Sequence, residues 1–421
     1  MKNPRPATPE TRPARPPVPP AREADGLMSP DDTPSGATPH PSPDITIPET
    51  DASPHPLAPA RWDWTEVRRV LVVRLRSIGD AVLATPALHA LRRFLPHAEI
   101  DLLLEDWVAP LLENSPDVDR VVTVERDSLK SRIAVWRTLR AARYDVAYDL
   151  HGGSTASLLT WASGARHTVG YASYGHARLL KHTAPPSSGL WGRDRIHSAE
   201  QQLGLVGWTG VPVTDLPVSR VSVSEEARSR VAERLRLAGI HAGRPVALFH
   251  PAAAFATKTW DSAHFARVAD RVSEQGFAVV AVAAPHEAEV LSALSSAARR
   301  PLVTFDDLPL PELAALAERA GLFVGNDSGV AHIAAALGVP SVVVFGSSNV
   351  THWRPWTRAP SEVVREELPC APCPGYTCSE FAQPECIRRV PAERVMDAVG
   401  RVLAASEGAR KRFEKRREGE S

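Results

Sequence analysis

The sequence predicts an α/β protein built from two doubly wound domains that face a central cleft. Short apolar runs of strand length alternate with helical stretches, and this alternation is typical of parallel sheets covered on both faces. The rhythm occurs twice, first from Val70 and again from Pro245. About 360 of the 421 residues remain once a proline-rich first segment is set aside. That is more than one hydrophobic core usually holds, so we expect two domains.

The first 60 residues differ in composition from the rest of the chain. They contain 17 of the 39 prolines and have no hydrophobic period. A segment of this kind cannot bury enough apolar surface to offset the entropy of ordering. We therefore expect residues 1–60 to be a disordered tail, either a simple tether or a proline-motif ligand for a partner.

The first predicted domain covers residues 61–225. Its strand-length runs are VLVVRL (70–75), EIDLLL (99–104), RVVTV (120–124) and DVAYDL (145–150). A helical stretch from Asp80 to Phe94 follows the first run, and helix-like spacers such as SLKSRIAVWRTLRAARY separate the others. Residues 151–225 are less regular, and we expect loops and the interdomain linker there.

The second predicted domain covers residues 226–405. Its strand-length runs are PVALFH (245–250), AVVAVAA (278–284), LVTF (302–305), GLFV (321–324) and SVVVFG (341–346). Helical stretches lie between them, around 261–275, 286–298, 311–319 and 328–337. Residues 406–421 form a basic tail, with six basic residues between Arg410 and Arg417.

Composition excludes several classes of protein. Lys+Arg and Asp+Glu are 49 each, which argues against a dedicated nucleic-acid binder. No run approaches the roughly 18 apolar residues of a membrane-spanning helix, and the N-terminus lacks the apolar core of a secretory signal. A cytoplasmic location is expected.

The first motif is RLRSIGDAVLATPAL, residues 74–88. A buried strand ends at Leu75, and a turn containing Ser77 and Gly79 leads into a helix headed by Asp80. An aspartate there can cap free backbone N–H groups or serve as a functional carboxylate. The absence of a G-x-G-x-x-G pattern in this motif disfavours a nicotinamide-dinucleotide site.

Two further motifs occupy strand-to-helix loops of the second domain. HPAAAFATKTW (250–260) carries one cation, Lys258, which either is solvated or pairs with a diphosphate. GNDSGVAHIAAALGVP (325–340) leads from a strand into a helix, where Gly329 offers bare backbone to phosphate. Asp327 is placed to cap this helix, and His332 lies one turn inside it, where packing is the alternative to function.

Together the three motifs supply a carboxylate, a lysine and a helix N-terminus at the same kind of loop. A carboxylate can activate a hydroxyl, while cationic and dipolar groups stabilise a leaving diphosphate. The combination predicts transfer of a group from a nucleotide-diphosphate donor onto a hydroxyl.

The motifs resemble those of the ADP-heptose:lipopolysaccharide heptosyltransferases, glycosyltransferase family 9. The likeness covers roughly residues 70–399 and is most specific at RSIGDAVLATPAL, KTW and NDSGVAHIAAALGVPSVVVFG. It implies a GT-B fold of two Rossmann-like domains, with the acceptor on the first and the nucleotide sugar on the second. It also implies an inverting, metal-independent transfer of heptose, or a related sugar, from an ADP-sugar to a hydroxyl of a lipopolysaccharide core or another surface glycan, with no cofactor required.

The resemblance also assigns residues. It makes Asp80 the general base and Lys258 the contact to the diphosphate. The other donor-binding candidates are Thr257, Glu287 (toward the ribose), Asp327, Ser328, Gly329, Val330 and His332. The acceptor-side loop is Arg76, Ser77 and Gly79. The chain departs from the family pattern at Ala252, where glycine is common, and at Val330, where proline or leucine is common.

Two alternatives stay open from the sequence. One is a nucleotide-sugar epimerase of similar two-domain architecture, which needs no acceptor. The other is a non-catalytic nucleotide-sugar-binding protein.

The cysteines and the basic tail each suggest a further partner. All four cysteines lie in one stretch: Cys370, Cys373, Cys378 and Cys386. Four thiolates can hold a structural zinc, but the spacing is not that of a zinc ribbon, and packing thiols or disulfides are the alternatives. A lipid-linked acceptor at an anionic inner-membrane face would attract the basic tail, which predicts weak peripheral membrane contact.

Overall fold

Two parallel six-stranded sheets form the framework, one in each half of the chain. The computed structural model describes residues 53–373 and 376–419, with side chains described as far as residue 408. The first half contains β1 (Arg69–Val73), α1 (Ile78–Phe94), β2 (Glu99–Glu105), β3 (Arg120–Val124), α2 (Leu129–Ala142), β4 (Val146–Asp149), α3 (Ser154–Ala162), β5 (His167–Tyr171), β6 (His182–Ala184), α4 (Ser187–Trp191) and α5 (Ser198–Gly207). The second half contains α6 (Glu225–Leu237), β7 (Val246–His250), α7 (Ser262–Glu274), β8 (Ala278–Val282), α8 (Ala288–Ala297), β9 (Val303–Phe305), α9 (Leu310–Arg319), β10 (Ala320–Asn326), α10 (Gly329–Ala336), β11 (Ser341–Phe345), α11 (Val350–Trp353), β12 (Ser361–Arg365), α12 (Glu385–Arg388) and α13 (Ala392–Gly419).

Both sheets have the same topology. The strand orders are β3-β2-β1-β4-β5-β6 and β12-β11-β10-β7-β8-β9, and every pairing is parallel. We call the half of the chain that contains the first sheet the first lobe, and the half that contains the second sheet the second lobe. In each sheet the direction of winding reverses once, at a switch point between β1 and β4 in the first lobe and between β7 and β10 in the second. The prediction of two doubly wound α/β units is confirmed. Ligands of such sheets bind beyond the carboxyl ends of the strands at these switch points.

The sequence pattern finds nine of the twelve strands. It misses β5 and β6, which lie in the stretch expected to hold loops and linker, and it misses β12. That expectation is corrected: residues 151–225 also contain α3, α4 and α5. β6 has three residues, too few for a hydrophobic period, and β12 is an edge strand with only Val364 buried.

Burial explains why the central strands read as continuous apolar runs. In β7 and β8 every residue is buried, because helices cover both faces of the sheet. One apolar core continues from the first lobe into the second, joining buried side chains of α1 and α5 to those of α10. Two smaller cores lie on the outer faces, under α2 and α3 in the first lobe and under α7 and α13 in the second.

A proline inside α1 is accommodated by the residue before it. Pro86 has no N–H to donate to the Val82 carbonyl four residues back. The Thr85 hydroxyl donates to that carbonyl instead, at 2.7 Å, and accepts from the Arg220 backbone N–H at 2.9 Å. The Thr-Pro pair therefore keeps the helix intact and ties it to the segment that enters the second lobe.

The predicted tails fall only partly within the described residues. Residues 1–52 and the side chains of residues 409–421 lie outside them. From His55 onward the chain is hydrogen-bonded to the first lobe: the Val213 N–H donates to the His55 carbonyl and the Leu57 N–H donates to the Gly207 carbonyl. α13 continues through the predicted basic tail to Gly419. Among the described residues, no helix is both long and apolar enough to cross a membrane. The domain boundaries remain predictions.

Candidate active site

The predicted site residues follow strands that flank the two switch points. Asp80 lies just after β1, and the neighbouring strand β4 ends before His151. In the second lobe, Lys258 follows β7 and Asp327 follows β10, which pairs with β7. Parallel strands bring these loops to the same edge of each sheet.

Asp80 is held by a cation and a hydroxyl. The Arg74 guanidinium forms an ion pair with Asp80 Oδ1, and the Ser77 hydroxyl donates to Asp80 Oδ2 at 2.7 Å. Ser77, not Asp80, caps α1, because its side chain accepts from the Asp80 N–H. Arg74 also donates to the carbonyls of Leu150 and Asp80. The Asp80 carboxylate is therefore a positioned group rather than the helix cap.

The surroundings of Asp80 favour its ionised form. Burial raises the pKa of this carboxyl, but Arg74, the Ser77 hydroxyl and the rings of His151 and His332 together outweigh burial and bring the pKa below its ordinary value. The side chain keeps 18% of its surface exposed. A charged, partly accessible carboxylate at a strand end can accept a proton from a bound hydroxyl.

His151 is a site residue that the sequence analysis missed. Burial lowers its pKa to about 3, with Arg74 adding to the effect and Asp80 opposing it, so the ring is neutral. Its Nδ1 atom is buried and has no hydrogen-bond partner among the described residues. The buried Asp149 holds this loop by accepting from the N–H groups of His151 and Gly152. An H-G-G sequence after a strand was the available signal.

The loop before α1 presents a strained arginine. Arg76 is exposed and has a φ of 71°, in the left-handed region that a non-glycine residue rarely adopts. Ser77 beside it is also exposed, whereas Gly79 is buried. Arg76 and Ser77 therefore face the space outside the carboxyl end of the first sheet.

In the second lobe a lysine is held by a carboxylate. Lys258 Nζ lies 2.9 Å from Asp327 Oδ2, and the Ser348 hydroxyl donates to the same oxygen at 2.5 Å. Asp327 is 6% exposed at its side chain and Lys258 is 25% exposed. Asp327 does not cap α10, contrary to expectation, because its carboxylate is engaged by these two groups. Ser348, which follows β11, was not identified from the sequence.

The N-terminus of α10 lacks a side-chain cap. Ser328 occupies the cap position but makes no capping hydrogen bond, and its hydroxyl lies 3.1 Å from His250 Nδ1. Burial lowers the pKa of His250 to about 4, so this ring is neutral. The first backbone N–H groups of a helix have no acceptor within the helix. Those at Gly329 and Val330 are therefore suited to an anion.

The two helix N-termini pack against each other across the lobes. At Gly79 a Cβ atom would lie 2.8 Å from the His332 ring, and at Gly329 it would lie 2.7 Å from Ile78 Cβ. Each glycine thus admits a side chain from the opposite lobe. His332 is 5% exposed, and burial lowers its pKa, while Asp327 and Asp80 act to raise it. The structure therefore brings His332 near both Asp80 and Asp327.

The remaining donor-side candidates lie on the same edge of the second sheet. Thr257 is buried in a short helical turn, Ala256–Lys258, and its hydroxyl has no hydrogen-bond partner among the described residues. Glu287 follows β8 and is half-buried, with its carboxylate accepting from the Ala284 N–H at 3.0 Å. Val330 is buried in the first turn of α10. Ala252, where the family commonly has glycine, is buried. Its backbone φ is not positive, so this position does not require glycine.

The four cysteines lie near one another in their reduced form. Burial, followed by the thiols of Cys373, Cys370 and Cys378, raises the pKa of Cys386 to about 11. Within 53–373 and 376–419, no three His, Cys, Asp or Glu side chains are arranged to hold a metal ion. The structural-zinc alternative from the sequence stays a prediction.

Comparison with known proteins gives one consistent family. Residues 132–382 match the model of glycosyltransferase family 9 (heptosyltransferase). Lipopolysaccharide heptosyltransferase 3 of Escherichia coli (strain K12) is 29% identical over 303 residues, which cover 67% of this chain and 84% of the relative.

Solved structures show the same architecture. The glycosyl transferase family 9 protein from Veillonella parvula has a TM-score of 0.71 at 23% identity, covering 80% of this chain and 98% of that one. E. coli ADP-heptose lps heptosyltransferase II has a TM-score of 0.66 at 22% identity, covering 80% and 99%. The prediction of a GT-B fold is confirmed.

Proposed function

The chain belongs to glycosyltransferase family 9, the heptosyltransferase family, and from that premise we propose that it transfers heptose from ADP-heptose to a hydroxyl of a lipopolysaccharide core or related surface glycan. The E. coli structure named above supports the donor, because its description is of an ADP-heptose enzyme. The relative named above supports the acceptor, because it is a lipopolysaccharide heptosyltransferase.

One observation carries the proposal: the carboxylate of one lobe and the phosphate-suited helix of the other meet at a single seam. Asp80 stands in the first turn of α1, and Gly329 begins α10 against Ile78 of that same turn. A donor diphosphate at α10 would place its sugar close to the loop that holds Asp80.

We assign the roles as follows. Asp80 removes the proton of the acceptor hydroxyl as its oxygen attacks the anomeric carbon of the donor sugar. The bond from that carbon to the diphosphate oxygen breaks, and ADP leaves with the electron pair. Attack from the face opposite the leaving group inverts the configuration.

The leaving ADP gains negative charge, and the second lobe supplies the compensation. Lys258 Nζ and the N–H groups of Gly329 and Val330 would contact the diphosphate. Thr257 and Ser328 add hydroxyl groups in the same loops, and Glu287 is the candidate for the ribose hydroxyls. Chemistry of this kind needs no metal ion at the reacting atoms.

A donor panel tests the proposal. Purified protein is incubated with ADP-heptose, ADP-glucose, UDP-glucose and UDP-N-acetylglucosamine, each with and without heptose-deficient lipopolysaccharide, and release of ADP or UDP is measured. We expect ADP release that requires both ADP-heptose and the acceptor. Release with a UDP-sugar alone, or none with any pair, would contradict the assignment.

The same panel separates the two alternatives left open by the sequence when the sugar products and the bound donor are analysed as well. An epimerase would convert a nucleotide sugar without acceptor and release no heptosylated product. A non-catalytic binding protein would retain the donor with no turnover. The cytoplasmic location expected from the sequence stays a prediction.

A further inference from the structure

The outer helices of the first lobe expose an unusual amount of apolar surface. On α2, Leu129, Ile133 and Trp136 are 69%, 42% and 43% exposed. On α3, Leu158 and Trp161 are 51% and 53% exposed. α2 and α3 contact each other. We call these five side chains the α2–α3 face.

Helical spacing explains why these side chains share a surface. Leu129, Ile133 and Trp136 follow each other at intervals of four and three residues, so they lie on one side of α2. The side that packs on the sheet is a different one, formed by the buried Val135 and Leu139. Since α2 already has a covered apolar side, its second apolar side has no role in the core of this lobe.

The sequence that forms the α2–α3 face is basic. Between Ser128 and Gly164 it has five lysines and arginines and two acidic residues, Asp145 and Asp149. Asp149 is fully buried, and Asp145 accepts from the N–H groups of Arg68 and Arg69. This region departs sharply from the zero net charge of the whole chain.

Three basic side chains project beside the apolar ones. Lys130, Arg137 and Arg140 are exposed, and none has a carboxylate within 4.0 Å among the described side chains. Arg140 lies against Gly164 just beyond α3, so the positive charge extends from one helix to the other. Trp107, 46% exposed after β2, adds a further aromatic side chain to the same lobe.

The α2–α3 face borders the acceptor side of the candidate site. α3 begins directly after the loop of His151 and Gly153, and α2 begins after β3 at the same carboxyl edge of the sheet. The end of the face that carries Leu129 therefore lies toward the edge of the sheet at which Asp80 stands.

We propose that the α2–α3 face is a docking surface for an anionic lipid bilayer. Tryptophan and leucine side chains enter the boundary between headgroups and acyl chains, and flanking lysines and arginines attract anionic headgroups. A second copy of this chain fits less well, because it would bring two strongly basic surfaces together. The inference rests on this surface alone and stands whether or not the donor is ADP-heptose.

Vesicle sedimentation tests the proposal on the full chain. Wild type is mixed with vesicles of phosphatidylcholine alone or with 40% phosphatidylglycerol (about the anionic content of an inner-membrane mimic), and bound protein is measured. We expect binding to the anionic vesicles and a decrease of about tenfold in the partition coefficient for Trp136→Ser/Trp161→Ser and for Lys130→Gln/Arg137→Gln. The control is Leu237→Ser/Arg388→Gln, which removes one exposed apolar side chain and one exposed arginine from the second lobe.

The possible results are separable. Thermal unfolding near the wild-type temperature shows that each variant is folded, and the conservative Trp136→Phe/Trp161→Phe pair is expected to retain binding. Wild type that does not bind anionic vesicles overturns the proposal, and so do face variants that bind as wild type does. If deletion of residues 409–421 alone removes binding, the basic tail and not the α2–α3 face is the contact. If the face variants abolish a concentration-dependent dimer instead, the occupant is a second copy.

Discussion

The two lobes hold their reactive charges in opposite ways. In the first lobe an arginine, Arg74, holds a carboxylate, Asp80; in the second a carboxylate, Asp327, holds a lysine, Lys258. Both pairs lie beyond the carboxyl ends of strands at a switch point. The two sheets therefore share one topology, but the sign of the more buried charge differs between them.

Exposure distinguishes the supporting partner from the working one. Arg74 and Asp80 are 10% and 18% exposed at their side chains, and Asp327 and Lys258 are 6% and 25%. In each pair the more exposed member is the one to which we assign a contact with substrate. The buried member fixes its position and satisfies its charge while the site is empty. The same sheet topology therefore presents an accessible carboxylate in one lobe and an accessible ammonium in the other, depending on which sign of charge is buried.

Asp80→Asn should have the largest effect. The amide keeps the shape of the carboxylate and can still accept a hydrogen bond from the Ser77 hydroxyl. It cannot take up the proton of the acceptor's hydroxyl group. We expect kcat to fall about a thousandfold, within the range typical of a lost general base, with KM for the donor little changed. Steady-state ADP release checks this, with the exposed Asp106→Asn as control. Activity within about tenfold of wild type would remove Asp80 from its assigned role.

Lys258→Met removes the accessible charge of the second lobe. Loss of the ammonium removes one contact that stabilises the leaving diphosphate, and we expect kcat/KM for the donor to fall about a hundredfold. ADP affinity measured by calorimetry should weaken as well. Lys258 is held by Asp327. The double variant Lys258→Met/Asp327→Asn should therefore lower kcat/KM by less than the product of the two single decreases. Additive losses would show that the pair does not act as a unit.

Arg74→Gln tests whether the supporting partner works through Asp80. Removal of this cation takes away an interaction that keeps the Asp80 pKa low, so the pKa should rise. The acid limb of the pH profile of kcat/KM should move to higher pH. Arg74→Lys, which keeps the charge, should move it less. A lower rate with an unmoved acid limb would indicate a structural role only.

The smallest expected effect concerns stability in acid. The folded pKa of His250 is about 4, below the ordinary value of 6.5, so the unfolded chain takes up a proton first. Its contribution is complete above pH 6.5 and is lost as the pH falls toward 4. Between pH 7 and pH 5 the loss is about 2 kcal/mol in the free energy of unfolding.

Denaturant titrations at several pH values measure that loss. His250→Asn should flatten the dependence below pH 6.5, and the exposed His286→Asn should leave it unchanged. Equal slopes for wild type and His250→Asn would contradict the assignment.

The sequence predicted what is local and missed what depends on distant contacts. The strand-turn-helix motifs at Asp80 and Asp327 were recognisable because a buried run, a small residue and a helical period are adjacent in the chain. The residues that cap these helices could not be recognised in the same way. Ser77 and Ser328, not the aspartates, occupy the cap positions, and Asp327 pairs with Lys258 from the neighbouring strand.

The same reason explains the missed residues. His151 and Ser348 matter only because strands from different parts of the chain end side by side, β4 next to β1 and β11 next to β10. The roles of the site residues remain predictions that the kinetic measurements test.

The two glycine contacts between α1 and α10 fix Asp80 relative to the N-terminus of α10. Because Gly79 admits His332 and Gly329 admits Ile78, this arrangement holds only while both contacts are made. If the lobes part to admit a donor, Asp80 leaves the N-terminus of α10 at the same moment. Under the proposed function, an open molecule would then hydrolyse its donor poorly, and the donor would persist until an acceptor binds. The absence of two side chains would in this way protect the donor sugar from water.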